Sequence, residues 1–227
     1  MATQARSGAT SRPGRPKDQE KRHAILDAAR ILFIRRGYIN TSMDAIASAA
    51  GVSKLTVYNH FTSIRGMLHA AILTACQERV STLKLECTEG SVARDVLLTT
   101  GYKLQAIMNS DDLVGLARLV VGQGDQLPGM GEYFYNVLIQ AVLEQVEALL
   151  HSMNEQGLLR IDNALRSAES FLSLIKGVSS DRRLIFGSVV AKREDEMHVC
   201  EVVRIFMQAF GVSEDRNSMG SGSNREQ

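Results

Sequence analysis

Apolar residues along this chain recur at helical spacing. From Asp18 onward, Ile25, Ala28, Ala29 and Leu32 fall at i, i+3, i+4 and i+7, one face of a helix. Arg35 and Arg36 fill its last turn and Gly37 follows, a combination that stops helices. Thr41 and Asp44 make a T-x-x-D capping box before a run that turns Ile46, Ala47 and Ala50 inward and ends at Gly51. A short third helix is predicted over about 54–60, and a fourth opens near Ser63. Beyond residue 90 the pattern predicts helices at 91–109, 112–122, 131–156, 163–176 and 194–210. In the longest, Phe134, Leu138, Ala141, Val142, Val146, Leu149, Leu150 and Met153 share one face, and Gly157 ends it. In the next, Leu165, Ala168, Phe171, Leu172 and Ile175 do the same before Gly177. No useful strand-like alternation and no internal repeat occurs, so the fold class is all-α.

The third helix is unusual. In AGVSKLTVYNHF only Leu55, Val57 and Phe61 are large and apolar after Gly51 and Val52. Two short helices joined by a turn containing glycine make a helix-turn-helix. Small Ala47 lets the helices cross closely, Gly51 accommodates the turn, and Ile46, Val52 and Val57 bury the inner faces. Ser53, Lys54, Leu55, Thr56, Tyr58, Asn59 and His60 are then left for outside contact. A B-DNA major groove admits one helix, and polar side chains there reach base edges or phosphates.

Charge distribution agrees with that partner. Residues 1–65 hold 11 Lys and Arg against 4 Asp and Glu, a net +7, whereas the remainder holds 15 against 21, a net −6. A basic head on an acidic body is what a polyanion partner requires. The chain is expected to divide into a disordered basic arm (1–17), a DNA-binding head (18–65), a larger helical body (66–212) and a disordered polar tail (213–227).

TSMDAIASAAGVSKLTVYNHF, with the preceding LDAARILFIRRGYINTS, resembles the DNA-binding signature of the TetR family of bacterial transcriptional regulators over about residues 18–70. The resemblance implies a helical homodimer with a three-helix head and a C-terminal domain that binds a small effector and dimerises. It implies that Thr41 and Ser42 meet phosphate at the start of the second helix, and that Ser53, Lys54 and Thr56 open the recognition helix. Tyr58 and His60 correspond to phosphate contacts, and Asn59 sits where bases are read. The F-x-x-K-E pattern usual in the family is replaced here by Ile64 and Arg65, with Arg65 the candidate substitute cation. Leu55 stands where a glycine is common and could touch a thymine methyl. The arm RPGRPK offers Arg12, Arg15 and Lys17, and Arg15 is the candidate for a narrow A·T-rich minor groove.

VGQGDQLPGMGEYFY and LLRIDNALRSAESFLSLIKG are similar to an AefR-like C-terminal domain. A pocket for a partly apolar effector is expected to draw on Tyr102, Met108, Leu116, Met130, Tyr133, Phe134 and Phe171. Nine methionines suit an adaptable apolar cavity. Leu172 and Ile175 on one of the last two long helices, with Val199, Val203, Phe206 and Phe210 on the other, are expected to form the dimer interface. The second stripe is wider than one helix needs for its own core.

Other classes fit poorly. Among His23, His60, His69, His151 and His198 there is no H-E-x-x-H, and the sequence holds no G-x-S-x-G and no P-loop. No metal or cofactor is expected. Cys76, Cys87 and Cys200 lack metal-ligand spacing and read as small buried hydrophobes in a reducing cytoplasm, with redox sensing at Cys87 a minor alternative. The N-terminus has no apolar signal segment, and no run reaches the ~18 apolar residues of a membrane helix. The expected function is a cytoplasmic repressor released from a double-stranded DNA operator by a small molecule. An architectural DNA-binding protein without effector is the alternative, with an enzyme a distant third.

Overall fold

The computed structural model describes residues 15–187 and 192–212, with side chains for 17–187 and 194–212. The expected arm before Arg15 and the expected tail, 213–227, lie outside the described residues. Ten α-helices follow one another among the described residues. They are α1 (Arg15–Arg36), α2 (Met43–Ala49), α3 (Lys54–His60), α4 (Ile64–Ser81), α5 (Ala93–Met108), α6 (Asp111–Gly122), α7 (Met130–Phe134), α8 (Ala141–Glu155), α9 (Ala164–Phe186) and α10 (Lys192–Phe210). An isolated antiparallel bridge pairs Leu159 with Gly211. The all-α expectation holds. Helix α1 opens three residues earlier than expected, with Pro16 in its first turn, where a missing N–H costs nothing.

The chain forms two units, Met1–Ile72 and Leu73–Gln227, and α4 passes from the first into the second. In the first unit Ile25, Ala29 and Phe33 of α1, Ile46 of α2, Val57 of α3 and Met67, Leu68 and Ile72 of α4 are buried, each at the inward phase of its helix. α1 packs on α2, and α2 on α3.

In the second unit α8 packs on α9, and α10 on both α5 and α9. Phe171 of α9 meets Phe206 of α10 edge to face, ring centroids 5.0 Å apart. Gly101 lets α5 approach this pair of helices, because a Cβ there would lie 2.6 Å from Val199 Cγ1 and 3.0 Å from Ile175 Cδ1.

Two interruptions depart from the predicted helices. The long segment expected at 131–156 contains a π-helical turn, Tyr135–Gln140, between α7 and α8. And Gly177 does not end its helix: it kinks α9 at φ +54°, ψ −179°, and the helix continues to Phe186. Beyond the kink, Arg183 pairs with Asp195 of α10 at 2.9 Å, with both side chains largely buried, and Asn109 donates to the same carboxylate oxygen at 3.1 Å.

The stripe assigned to dimerisation serves a different purpose. Val199, Val203, Phe206 and Ile175 are at most 1% exposed within a single chain, and Leu172 is buried too. Phe210 is partly covered by Phe206, centroids 4.7 Å apart. The width of the stripe reflects contact with two helices, α5 and α9, at once.

Candidate nucleic-acid interface and effector cavity

The turn between α2 and α3 is built from local polar contacts. Ser42 is the N-cap of α2, its hydroxyl accepting from the Ala45 N–H at 3.2 Å. Ser53 caps α3 in the same way, accepting from the Thr56 N–H at 3.1 Å, with the Ser53 and Thr56 hydroxyls 2.8 Å apart. Gly51 turns the chain at φ +65°, and the Val52 N–H returns to the Ala47 carbonyl at 3.1 Å. Val57 is wholly buried, while Lys54, Leu55, Tyr58 and Asn59 of α3 are exposed and Thr56 is half-buried.

Two expected phosphate contacts are corrected. Thr41 is only 6% exposed, and its hydroxyl donates to the Gly37 carbonyl at 2.7 Å. It ties the end of α1 to the start of α2, so the capping role falls to Ser42, one residue later than predicted. The His60 side chain is 12% exposed and its Nε2 lies 3.3 Å from Asp18 Oδ1 of α1, so it faces the head's own first helix.

Lys54 Nζ lies 2.6 Å from Asp44 Oδ2, and this hydrogen-bonded carboxylate raises the lysine's pKa. Both groups are exposed, so the ion pair leaves the ammonium accessible to a stronger anion. Arg65 is exposed on α4. The Arg15 side chain lies outside the described residues.

Within the second unit an apolar cavity of about 330 Å³ opens between α5, α6, the π-helical turn and α9. Leu104, Leu113 and Val142 form part of its wall. Of the seven residues expected to line an effector pocket, Met108 and Phe134 do so. Leu116, Met130 and Phe171 are fully buried in the core and do not line this space. Tyr133 is half-buried, where desolvation raises its phenol pKa, with a further contribution from Cys76. Tyr102 instead lines an open groove between α5 and α10, its hydroxyl 3.4 Å from Cys200 Sγ. That groove carries Arg94, Glu196, Glu201 and Arg204, and is a charged surface depression.

Sequence reasoning missed the polar part of the cavity wall, Ser173, Lys176 and Ser180. Their spacing, i, i+3 and i+7, is a legible helical stripe. Reading Gly177 as a helix end hid it.

The cysteines differ from one another. Cys76 is buried, and desolvation, then Asp112, pushes its thiol up to about 12. Cys87 is half-buried near Gln156, and Cys200 is exposed, so only Cys76 behaves as the expected buried hydrophobe.

A capped two-helix unit with one buried face and one exposed face has the geometry of a helix-turn-helix, and comparison with known proteins places it in a family. Residues 25–71 match the domain described as bacterial regulatory proteins, tetR family, and residues 95–212 match the AefR-like transcriptional repressor C-terminal domain. The chain belongs to the TetR family. It is a DNA-binding transcriptional regulator with an AefR-like C-terminal domain.

Curated relatives of this regulator agree over most of their length. It is 27% identical to the HTH-type transcriptional regulator YvkB of Bacillus subtilis (strain 168), over 76% of this chain and 88% of that one. It is 29% identical to the HTH-type transcriptional regulator UidR of Escherichia coli (strain K12), over 72% and 82%. Among solved structures, a TetR-family transcriptional regulator from Mesorhizobium loti superposes with a TM-score of 0.77 at 26% identity, over 86% of this chain and 99% of that one. The flavonoid-responsive regulator FrrA shares the fold at TM-score 0.71 and 24% identity, over 85% and 98%. No helix among the described residues is long and apolar enough to cross a membrane.

Proposed function

We propose that this TetR-family regulator is a cytoplasmic homodimeric repressor that leaves its operator when a small, largely apolar molecule fills the cavity of the C-terminal unit. The observation that carries the reading is the apolar cavity between α5, α6 and α9, in the same chain as a helix-turn-helix with an exposed reading face. A chain that only bound DNA would have no use for such a cavity, because apolar volume that side chains do not fill costs stability.

On the DNA side, Ser42, Ser53, Lys54, Thr56, Tyr58 and Arg65 position the head on phosphates, while Asn59 and Leu55 meet base edges in the major groove. Arg15 extends this toward the minor groove. Dimers put two recognition helices about 34–36 Å apart along one DNA face. With Val203 and Phe206 committed to the core, pairing falls to the apolar residues that α9 and α10 leave exposed, chiefly Leu174, Val178, Ile185, Met197 and Ile205. An effector that binds better to a state with mismatched heads lowers DNA affinity, and operator DNA lowers effector affinity by the same factor.

The test is selection of DNA fragments by the purified full chain, followed by binding of the selected fragment with and without ligands that raise the melting temperature. Enriched sequences with two-fold symmetry, released by a stabilising ligand, support the reading. Stabilising ligands that leave operator binding untouched would overturn the release mechanism.

A further inference from the structure

We propose that the effector is an anionic amphiphile: an apolar body no larger than the cavity, about 330 Å³, ending in a carboxylate or comparable anion that meets Lys176 between Ser173 and Ser180. This rests on reading the cavity as the effector site.

Three observations support it. First, among the described residues that line the cavity Lys176 is the one ionisable residue, and none of them is a carboxylate that would receive a cation. Second, the polar atoms are gathered on one wall. Ser173, Lys176 and Ser180 all come from α9, with Ser173 and Lys176 exposed, so the polar end is at the mouth and the interior is apolar. An amphiphile has the same polarity along its length. A ligand polar at both ends would leave a buried polar group unpaired against Leu104, Leu113 or Val142. Third, the ammonium is available. Lys176 Nζ is held by Asp181 Oδ1 at 2.8 Å, but both side chains are about half exposed, 53% and 51%. Such pairs are weak in water, so a ligand anion desolvated at the mouth can take the place of Asp181 at small cost. The two hydroxyls then donate to the same anion, one from each side of the Gly177 kink.

Calorimetric titration of the full chain with decanoate and decylammonium below their micellar concentrations, and with 1-decanol below its solubility limit, tests this. Decanoate is expected to bind about tenfold more tightly than decanol, the ratio one charge-assisted hydrogen bond gives, and decylammonium more weakly than either. Lys176→Met should reduce the decanoate preference to within about twofold while leaving decanol binding intact, and Lys176→Arg should restore it. Because Lys176 is exposed, both variants are expected to fold. Equal binding of decanoate and decanol, no binding of decanoate, or a preference that survives Lys176→Met would overturn the anionic assignment. The cavity itself is checked separately with Val114→Phe and Ala117→Phe, whose rings would occupy it. If decanol binding persists unchanged in both folded variants, the cavity is not the site, whatever the charge preference.

Discussion

His198 of α10 donates its Nε2–H to the carbonyl oxygen of Leu174 on α9 at 2.8 Å, beside the kink at Gly177. The kink turns the backbone out of helical geometry three residues after Leu174, and the imidazole supplies the hydrogen bond. A Cβ at Gly177 would stand 2.7 Å from that same nitrogen. Gly177→Ala is therefore expected to destabilise the chain by about 1–3 kcal/mol in urea unfolding, through backbone strain and the clash together. An unchanged midpoint would mean that α9 straightens without cost.

Thr41 separates a structural from a DNA-contacting role. Thr41→Val keeps the shape but removes the donor to the Gly37 carbonyl, and is expected to lower stability by about 1–2 kcal/mol. Operator affinity of the folded variant should stay near that of the parent. A large loss of affinity with unchanged stability would return Thr41 to the phosphate-contacting set.

The exposed face of α3 should behave oppositely. Tyr58 is 48% exposed, so Tyr58→Phe is expected to weaken operator binding by about tenfold with little change in melting temperature. Lys54→Met should flatten the slope of log K against log salt by about 1 per half-site. A melting temperature that falls sharply in Tyr58→Phe would show that the ring is packed, and the assignment of faces would fail.

Dimerisation can be separated from core packing. Val178→Glu with Ile185→Glu, at positions 69% and 63% exposed, is expected to give folded monomers with weak operator binding. Val203→Glu should instead unfold the chain or cost several kcal/mol, because it buries a charge where the side chain is 1% exposed. Sedimentation velocity and circular dichroism together distinguish the outcomes. A double variant that stays dimeric would move the interface elsewhere.

Thiol reactivity offers a probe of the second unit. At about pH 8 a maleimide is expected to label Cys200 first, Cys87 more slowly and Cys76 only after denaturation, because the Cys76 thiol, at about 12, is almost entirely protonated there. Rapid native labelling of Cys76 would contradict its burial.

The helix-turn-helix, the family and most helices, apart from the π-helical turn and the kink in α9, are legible in the sequence. Each of these is written in local order: Ala47, Gly51 and Val57 lie within eleven residues of one another, and their spacing alone fixes which face of α3 is buried. The roles of single polar residues were less legible. Thr41 and His60 match the expected motif, yet their partners, Gly37 and Asp18, lie on or beside α1, and no local pattern states that a side chain turns back toward an earlier helix.

In the second unit, packing between distant helices carries more of the outcome. An apolar stripe reports that a helix face leaves water but not what covers it. Val199, Val203 and Phe206 look the same in sequence whether a second copy or α5 and α9 of the same chain bury them, and packing chose the latter. The cavity is likewise invisible in sequence, because it is space left between α5, α6, the π-helical turn and α9. Gly177 shows the limit most simply: the residue type permits a stop or a kink, and the outcome shows in tertiary contacts, His198 on the Leu174 carbonyl just before the kink and Arg183 with Asp195 of α10 beyond it.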